Sequence, residues 1–118
     1  MDAAIRARLE HALAENTAQL AELTRQHEEV VAASRDSNAD DEHDPEGATI
    51  AFERQQVVAL TAQLQRSRAD IAWALGRGQD YGRCEGCGGQ IEAERLEARP
   101  TARTCIGCAT RATLNRRR

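Results

Sequence analysis

The chain has 118 residues, 41% hydrophobic but only 3% aromatic, with 16 basic and 19 acidic side chains and a formal net charge of −3. That length suits one domain, or a small domain with an appendage. Much of the hydrophobic fraction is alanine, which argues against a bulky globular core and for an elongated helical shape held by a metal.

The Met-Asp start and the lack of a long apolar run lead us to expect neither a secretory signal nor a membrane span. Charge is unevenly spread. Residues 1–75 hold seven arginines against fourteen acids, a net of −7; residues 76–118 hold nine against five, a net of +4. Every basic residue is arginine.

From Asp2 to about Arg35 there is no proline or glycine, and alanine, glutamate, leucine and arginine dominate. This composition predicts a long helix, with Asp2 able to cap its start. Leu9, Leu13, Leu20, Leu23 and Val30 recur at coiled-coil steps, and Asn16 and His27 complete the seam as two polar intrusions. Such intrusions cost stability and fix register. The stretch 36–45 carries no apolar periodicity and breaks the helix.

Asp44-Pro45-Glu46 reads as a new helix start, with Asp44 as cap and Pro45 at the first helical position. The second helix runs to about Leu75, with Ile50, Val57, Leu64 and Ile71 repeating every seven residues and Leu60 and Ala74 in the companion row. Gly76 and Gly78 end it. Two seams of similar length joined by a loop of about ten residues, near the upper end of usual helix–helix connections, predict an antiparallel hairpin. Its helices would each be about 45–50 Å long, with an acidic tip at 36–46.

All four cysteines follow, as Cys84-x2-Cys87 and Cys105-x2-Cys108 with seventeen residues between the pairs. Two thiolates three positions apart can grip one metal from a single tight turn, and two such turns complete a tetrahedral cage that suits zinc. The alternatives are a disulfide pair or a redox Cys-x-x-Cys. A redox motif needs only one pair, opening a helix after a strand, and no strand pattern precedes Cys84. A closed all-thiolate cage has no open position for substrate water, so one structural Zn2+ is expected.

Gly86, Gly88 and Gly89 surround the first pair and Gly107 lies inside the second, allowing backbone N–H groups to face the sulfurs. Ile91 and Leu96 supply a small apolar plug, and Pro100 bars Arg99 from helical geometry. Ala109 to Leu114 predicts a short helix, followed by a frayed Arg116-Arg117-Arg118. The fold class is thus mainly α: a two-helix coiled-coil hairpin over 1–76, then a four-cysteine zinc finger with a C-terminal helix over 77–118.

No catalytic constellation is visible, and the three histidines have neither a nucleophile nor a phosphate loop to accompany them. An enzyme is therefore not expected. Asp36, Asp40, Asp41, Glu42, Asp44 and Glu46 crowd the hairpin end without an opposing arginine. A solvated acidic loop accounts for them, but on the end of a long hairpin they could also enter a narrow basic channel.

The run Cys84-Glu85-Gly86-Cys87, then Ile91, Arg95-Leu96-Glu97-Ala98-Arg99-Pro100-Thr101, then Cys105-Ile106-Gly107-Cys108 resembles the zinc finger of the DksA/TraR family. Ile91, Arg95 and Pro100 fall at that family's offsets from the cysteines. Reduced thiolates in a metal cage point to the cytosol and locally paired seams to a monomer; the resemblance implies a transcription regulator whose coiled coil enters the secondary channel of bacterial RNA polymerase. It would bring tip carboxylates (Asp40, Asp41, Glu42, Asp44 and Glu46) toward the active centre without sequence-specific DNA contact or membrane binding.

Two departures qualify it. The family's tip pattern of two aspartates and an alanine falls here on Asp44, Gly47 and Thr49. The resemblance also implies that Arg95 and Arg99 meet the polymerase rim or the alarmone guanosine tetraphosphate. However, the position after the fourth cysteine, often lysine in the family, is Ala109, which puts a complete alarmone site in question. The competing readings are a zinc finger binding nucleic acid through its arginines at 83, 95, 99, 103, 111 and 116–118, and a coiled-coil scaffold with no role at polymerase. Against the first stand the small net charge of the finger, the near absence of exposed-type aromatics for base stacking, and the acidic rod, which would repel a duplex.

Overall fold

The structure, a computed structural model, describes residues 1–36 and 45–117. Helix α1 spans Ala3–Asp36 and helix α2 spans Pro45–Leu75, followed by a single 3-10 turn at Gly78–Asp80, a short helix α3 at Ala93–Ala98 and helix α4 at Ile106–Arg116. Among the described residues the only β pairing is an isolated antiparallel bridge between Arg83 and Gln90. No described helix is long and apolar enough to cross a membrane.

Asp2 caps α1 as the sequence predicts: its Oδ1 accepts from the Ile5 N–H at 2.9 Å, satisfying one of the donors a helix start leaves unpaired. Pro45 opens α2. Its expected cap Asp44 and the carboxylates Asp40, Asp41 and Glu42 lie outside the described residues, as do the side chains of Asp36 and Glu46.

The chain falls into two compact units, one of residues 1–13 with 69–118, the other of residues 14–68. In the second, α1 pairs antiparallel with α2. Asn16 Nδ2 donates to the Leu64 carbonyl at 2.9 Å, and Arg68 Nη1 donates to Thr17 Oγ1 at 3.1 Å. Both polar intrusions sit where the heptads place them. Asn16 is only 4% exposed with Oδ1 unpartnered, and His27 is half-buried with Nδ1 unpartnered. Val57 is buried, but Leu60 is 48% exposed. Both 60 and 61 flank the seam, and Thr61 is the half-buried one, so the companion row steps by four residues at this point instead of three.

In the first unit, Leu9, Ile71 and Ala74 form the core, packed by Ile5, Ala12, Leu13, Trp73, Leu75 and Tyr81. Leu9 opposite Ile71 keeps the antiparallel pairing. Burying a side chain such as Leu9 stabilises by about 1.5–3 kcal/mol. Tyr81 contributes a polar tie as well, its hydroxyl donating to the Pro100 carbonyl at 2.8 Å. Arg8 Nη1 donates to the Glu97 carbonyl at 2.8 Å, satisfying a C-terminal acceptor of α3.

Candidate metal centre

The first cysteine pair sits in a tight turn closed by backbone bonds. Cys84 N–H donates to the Gly89 carbonyl at 2.8 Å, Gly88 N–H to the Cys84 carbonyl at 3.0 Å and Ile91 N–H to the Gly82 carbonyl at 2.7 Å. Gly88 has φ +74°, a region that L side chains avoid. At Gly86 the constraint is space: a Cβ there would lie 2.9 Å from Cys108 Sγ. The glycines are thus dictated by the turn and by the approach of the second pair.

The second pair opens α4. Cys105 is its N-cap, and its Sγ accepts from the Cys108 N–H at 3.4 Å. The helix starts at Ile106, three residues before the predicted Ala109, because this sulfur and the Glu92 carboxylate both serve its first turn. Glu92 Oε2 accepts from the Ile106 N–H at 3.2 Å. The segment between the pairs forms α3, which stops at Ala98 ahead of Arg99 (φ −136°, ψ 83°) and Pro100. Ile91 is buried and Leu96 is half-buried.

This framework gathers all four thiols. Their sulfurs lie within 4.8 Å of one another, with Cys87 and Cys105 4.0 Å apart. None is in a disulfide. Zinc–sulfur bonds of about 2.3 Å place the sulfurs of a tetrahedron about 3.8 Å apart, so the set fits that ion closely. N–H groups compensate the negative charge such a cluster carries. Gly86 N–H and Cys105 N–H each donate to Cys84 Sγ at 3.3 Å, and Arg111 Nη2 donates to Cys108 Sγ at 3.2 Å.

These donors divide the thiols. Backbone N–H groups, that of Cys105 foremost, bring Cys84 down to about 6. Cys108 shares its proton with the sulfurs of Cys84 and then Cys105, which pushes it up to about 11 against the opposing pull of Arg111.

The two arginines expected at a partner surface differ. Arg95 is half-buried and its Nε donates to the Thr104 carbonyl at 2.8 Å, tying α3 to the second cysteine pair. Arg99 is exposed. Sequence reasoning missed three contributors: Glu92, Arg111 and Arg103. Arg111 had a signal, since three positions after Cys108 on a helix is one turn away. Glu92 and Arg103 act on residues distant in the chain and had none.

Residues 79–113 match the prokaryotic dksA/traR C4-type zinc finger family. The finger is 59% identical over 32 residues to the RNA polymerase-binding transcription factor DksA of Escherichia coli K12, covering 27% of this chain and 21% of that protein. The DksA of Haemophilus influenzae is 58% identical over 31 residues, covering 26% and 21%. These matches therefore span only about a fifth of the curated relatives' length. A solved structure of transcription factor DksA2 from Pseudomonas aeruginosa is similar over 100% of this chain and 94% of that one, with TM-score 0.60 and 28% identity. With the cysteine cluster built as that finger requires, residues 79–113 of this chain form a dksA/traR C4-type zinc finger.

Proposed function

We propose that the chain is a cytoplasmic, non-enzymatic regulator that binds bacterial RNA polymerase and inserts its helical hairpin, acidic end first, into the secondary channel. The observation that carries this reading is likeness at two scales. The finger is 59% identical to that of a factor named for binding RNA polymerase, and a DksA2 structure resembles the whole chain at TM-score 0.60.

In this reading Cys84, Cys87, Cys105 and Cys108 hold one Zn2+. Four thiolates close the coordination shell, so the ion holds the finger together and activates no water. The hairpin at 1–76 carries carboxylates at Asp40, Asp41, Glu42, Asp44 and Glu46 into the channel, while the finger at 77–118 stays at the rim with Arg99 exposed toward the partner. Arg95 works mainly inside the finger, because its Nε is committed to Thr104. An alarmone contact at Arg95 and Arg99 would lack the lysine that Ala109 replaces. The chain acts as a monomer, since α1 and α2 bury their seam on each other.

The test is retention of the full chain by core bacterial RNA polymerase at physiological salt, followed by crosslinking from a photoreactive residue at position 41. We expect retention and crosslinks to the polymerase subunits that line the channel. Failure to bind polymerase, with salt-sensitive retention on DNA instead, would replace this reading by nucleic-acid binding.

A further inference from the structure

Arg103 stands between the cysteine cluster and helix α2. Its Nη2 donates to Asp70 Oδ1 at 3.0 Å, its Nη1 lies 3.5 Å from Glu85 Oε1, and its guanidinium carbon is 4.1 Å from the centroid of the Trp73 ring. Asp70 and Trp73 share one face of α2, three positions apart. Glu85 lies inside the first cysteine pair, and Arg103 itself is two residues before Cys105. The backbone joins the same segments, since Glu85 N–H donates to the Arg103 carbonyl at 2.9 Å. Arg77 also covers the ring at 4.8 Å.

A guanidinium is a rigid planar fork. It can reach Asp70, Glu85 and the indole together only while the two cysteine-bearing segments are held side by side. Apart from the cluster they are joined by a few hydrogen bonds, among them Glu85 N–H to the Arg103 carbonyl and Arg95 to the Thr104 carbonyl, and by little apolar packing. The buried apolar residues between Arg83 and Arg117 are Cys84, Ile91 and Ala102, too few to order the segments without a metal.

We infer that Arg103 is a positioning residue through which the metal centre fixes the finger on α2, so that the surroundings of Trp73 depend on whether zinc is bound. The finger is then set against the helix by the metal and not by apolar packing alone. This inference rests on the zinc reading and is independent of polymerase.

Trp73 is the only tryptophan, so its emission reports the contact directly. The full chain is loaded with zinc, its metal content measured, and its emission maximum and acrylamide quenching recorded before and after chelation. For the unmodified chain we expect a red shift and a rise in quenching when zinc is removed. Arg103→Gln should retain zinc, yet its loaded form should already show the emission of the stripped chain and change no further on chelation. Arg103→Lys, which keeps the charge over the ring but not the fork, should fall between.

Arg83→Gln, whose partner Asp80 lies within the same turn, should behave as the unmodified chain. Should Arg103→Gln fail to load zinc, Asp70→Asn carries the same comparison from the α2 side. A zinc-loaded chain whose Trp73 ignores chelation, or a loaded Arg103→Gln or Asp70→Asn that responds with full amplitude, overturns the inference alone. A chain that holds no zinc overturns the metal reading and this inference with it.

Discussion

Cys84 and Cys108 belong to one cluster, yet their surroundings treat them oppositely. Cys84 receives N–H donors from Gly86 and Cys105 and is brought down to about 6. Cys108 faces neighbouring sulfurs and is pushed up to about 11. Zinc must displace whatever protons the thiols hold. Above pH about 6 the Cys84 proton is already gone, whereas below it that proton becomes a further competitor. The sign follows: a depressed thiol pKa favours the metal-ready fold in full above the ordinary thiol value of 9.0, and that advantage shrinks as pH falls and is gone below about 6. We therefore expect the logarithm of apparent zinc affinity to fall with decreasing pH, and its slope to steepen by about one proton below pH about 6. Chelator competition across pH 5 to 8 measures this. An unchanged slope would mean that Cys84 keeps an ordinary thiol pKa. The spacing of the four cysteines was legible in the sequence. The split between them was not, because it depends on which N–H groups the folded turns aim at which sulfur.

At the scale of elements, both long helices were readable to within a residue or two. Their ends carry local chemistry: Asp2 at the start of α1, and Pro45 and Gly76 at the two ends of α2. The coiled-coil seam was readable as well, down to its polar intrusion at Asn16. That side chain is 4% exposed and makes one hydrogen bond, to a carbonyl already inside a helix, while its Oδ1 has no partner. Removing it strands no other group, so Asn16→Leu should raise the stability of the hairpin by about 1 kcal/mol. It should also loosen the register, which a single buried asparagine helps to specify. Thermal unfolding reads the first effect, and crosslinking between cysteine pairs set in and out of register reads the second. A destabilised Asn16→Leu would show that the asparagine contributes more than register. The short helix α3 and the 3-10 turn were not foreseen, since segments of six and three residues are too short to show a period.

For the whole molecule, charge is the feature to test. The stretch 36–46 holds six acidic residues and no arginine, and carboxylates carried into a basic channel act chiefly on what lies inside it. Neutralising Asp40, Asp41 and Asp44 to asparagine keeps side-chain size and a capping group at position 44. Polymerase binding should survive with a slower, less salt-sensitive on-rate, while any effect on transcription initiation should be largely lost. Because Gly47 and Thr49 depart from the family's tip pattern, a chain that binds polymerase without altering initiation before or after mutation would mark a channel occupant only. Arg99→Ala is the cleaner probe of the rim, since Arg95→Ala would also cut the bond to Thr104. Loss of polymerase binding in the neutralised tip variant would instead make the carboxylates anchors.

The sequence by itself determined two helices, the Asp2 cap of the first, the seam between them and the four-cysteine cluster. Each of these depends on residues at fixed short spacings or on a repeating period, which a one-dimensional pattern records. Only the tertiary structure decided how the finger meets the helices. Arg8 reaches Glu97, Tyr81 reaches Pro100, Glu92 caps α4 and Arg103 joins Asp70, Trp73 and Glu85. Those partners lie between 14 and 89 positions apart, and hydrogen bonds and cation–π contacts over such separations follow no periodicity. They exist because the turns around the cysteines bring the segments together.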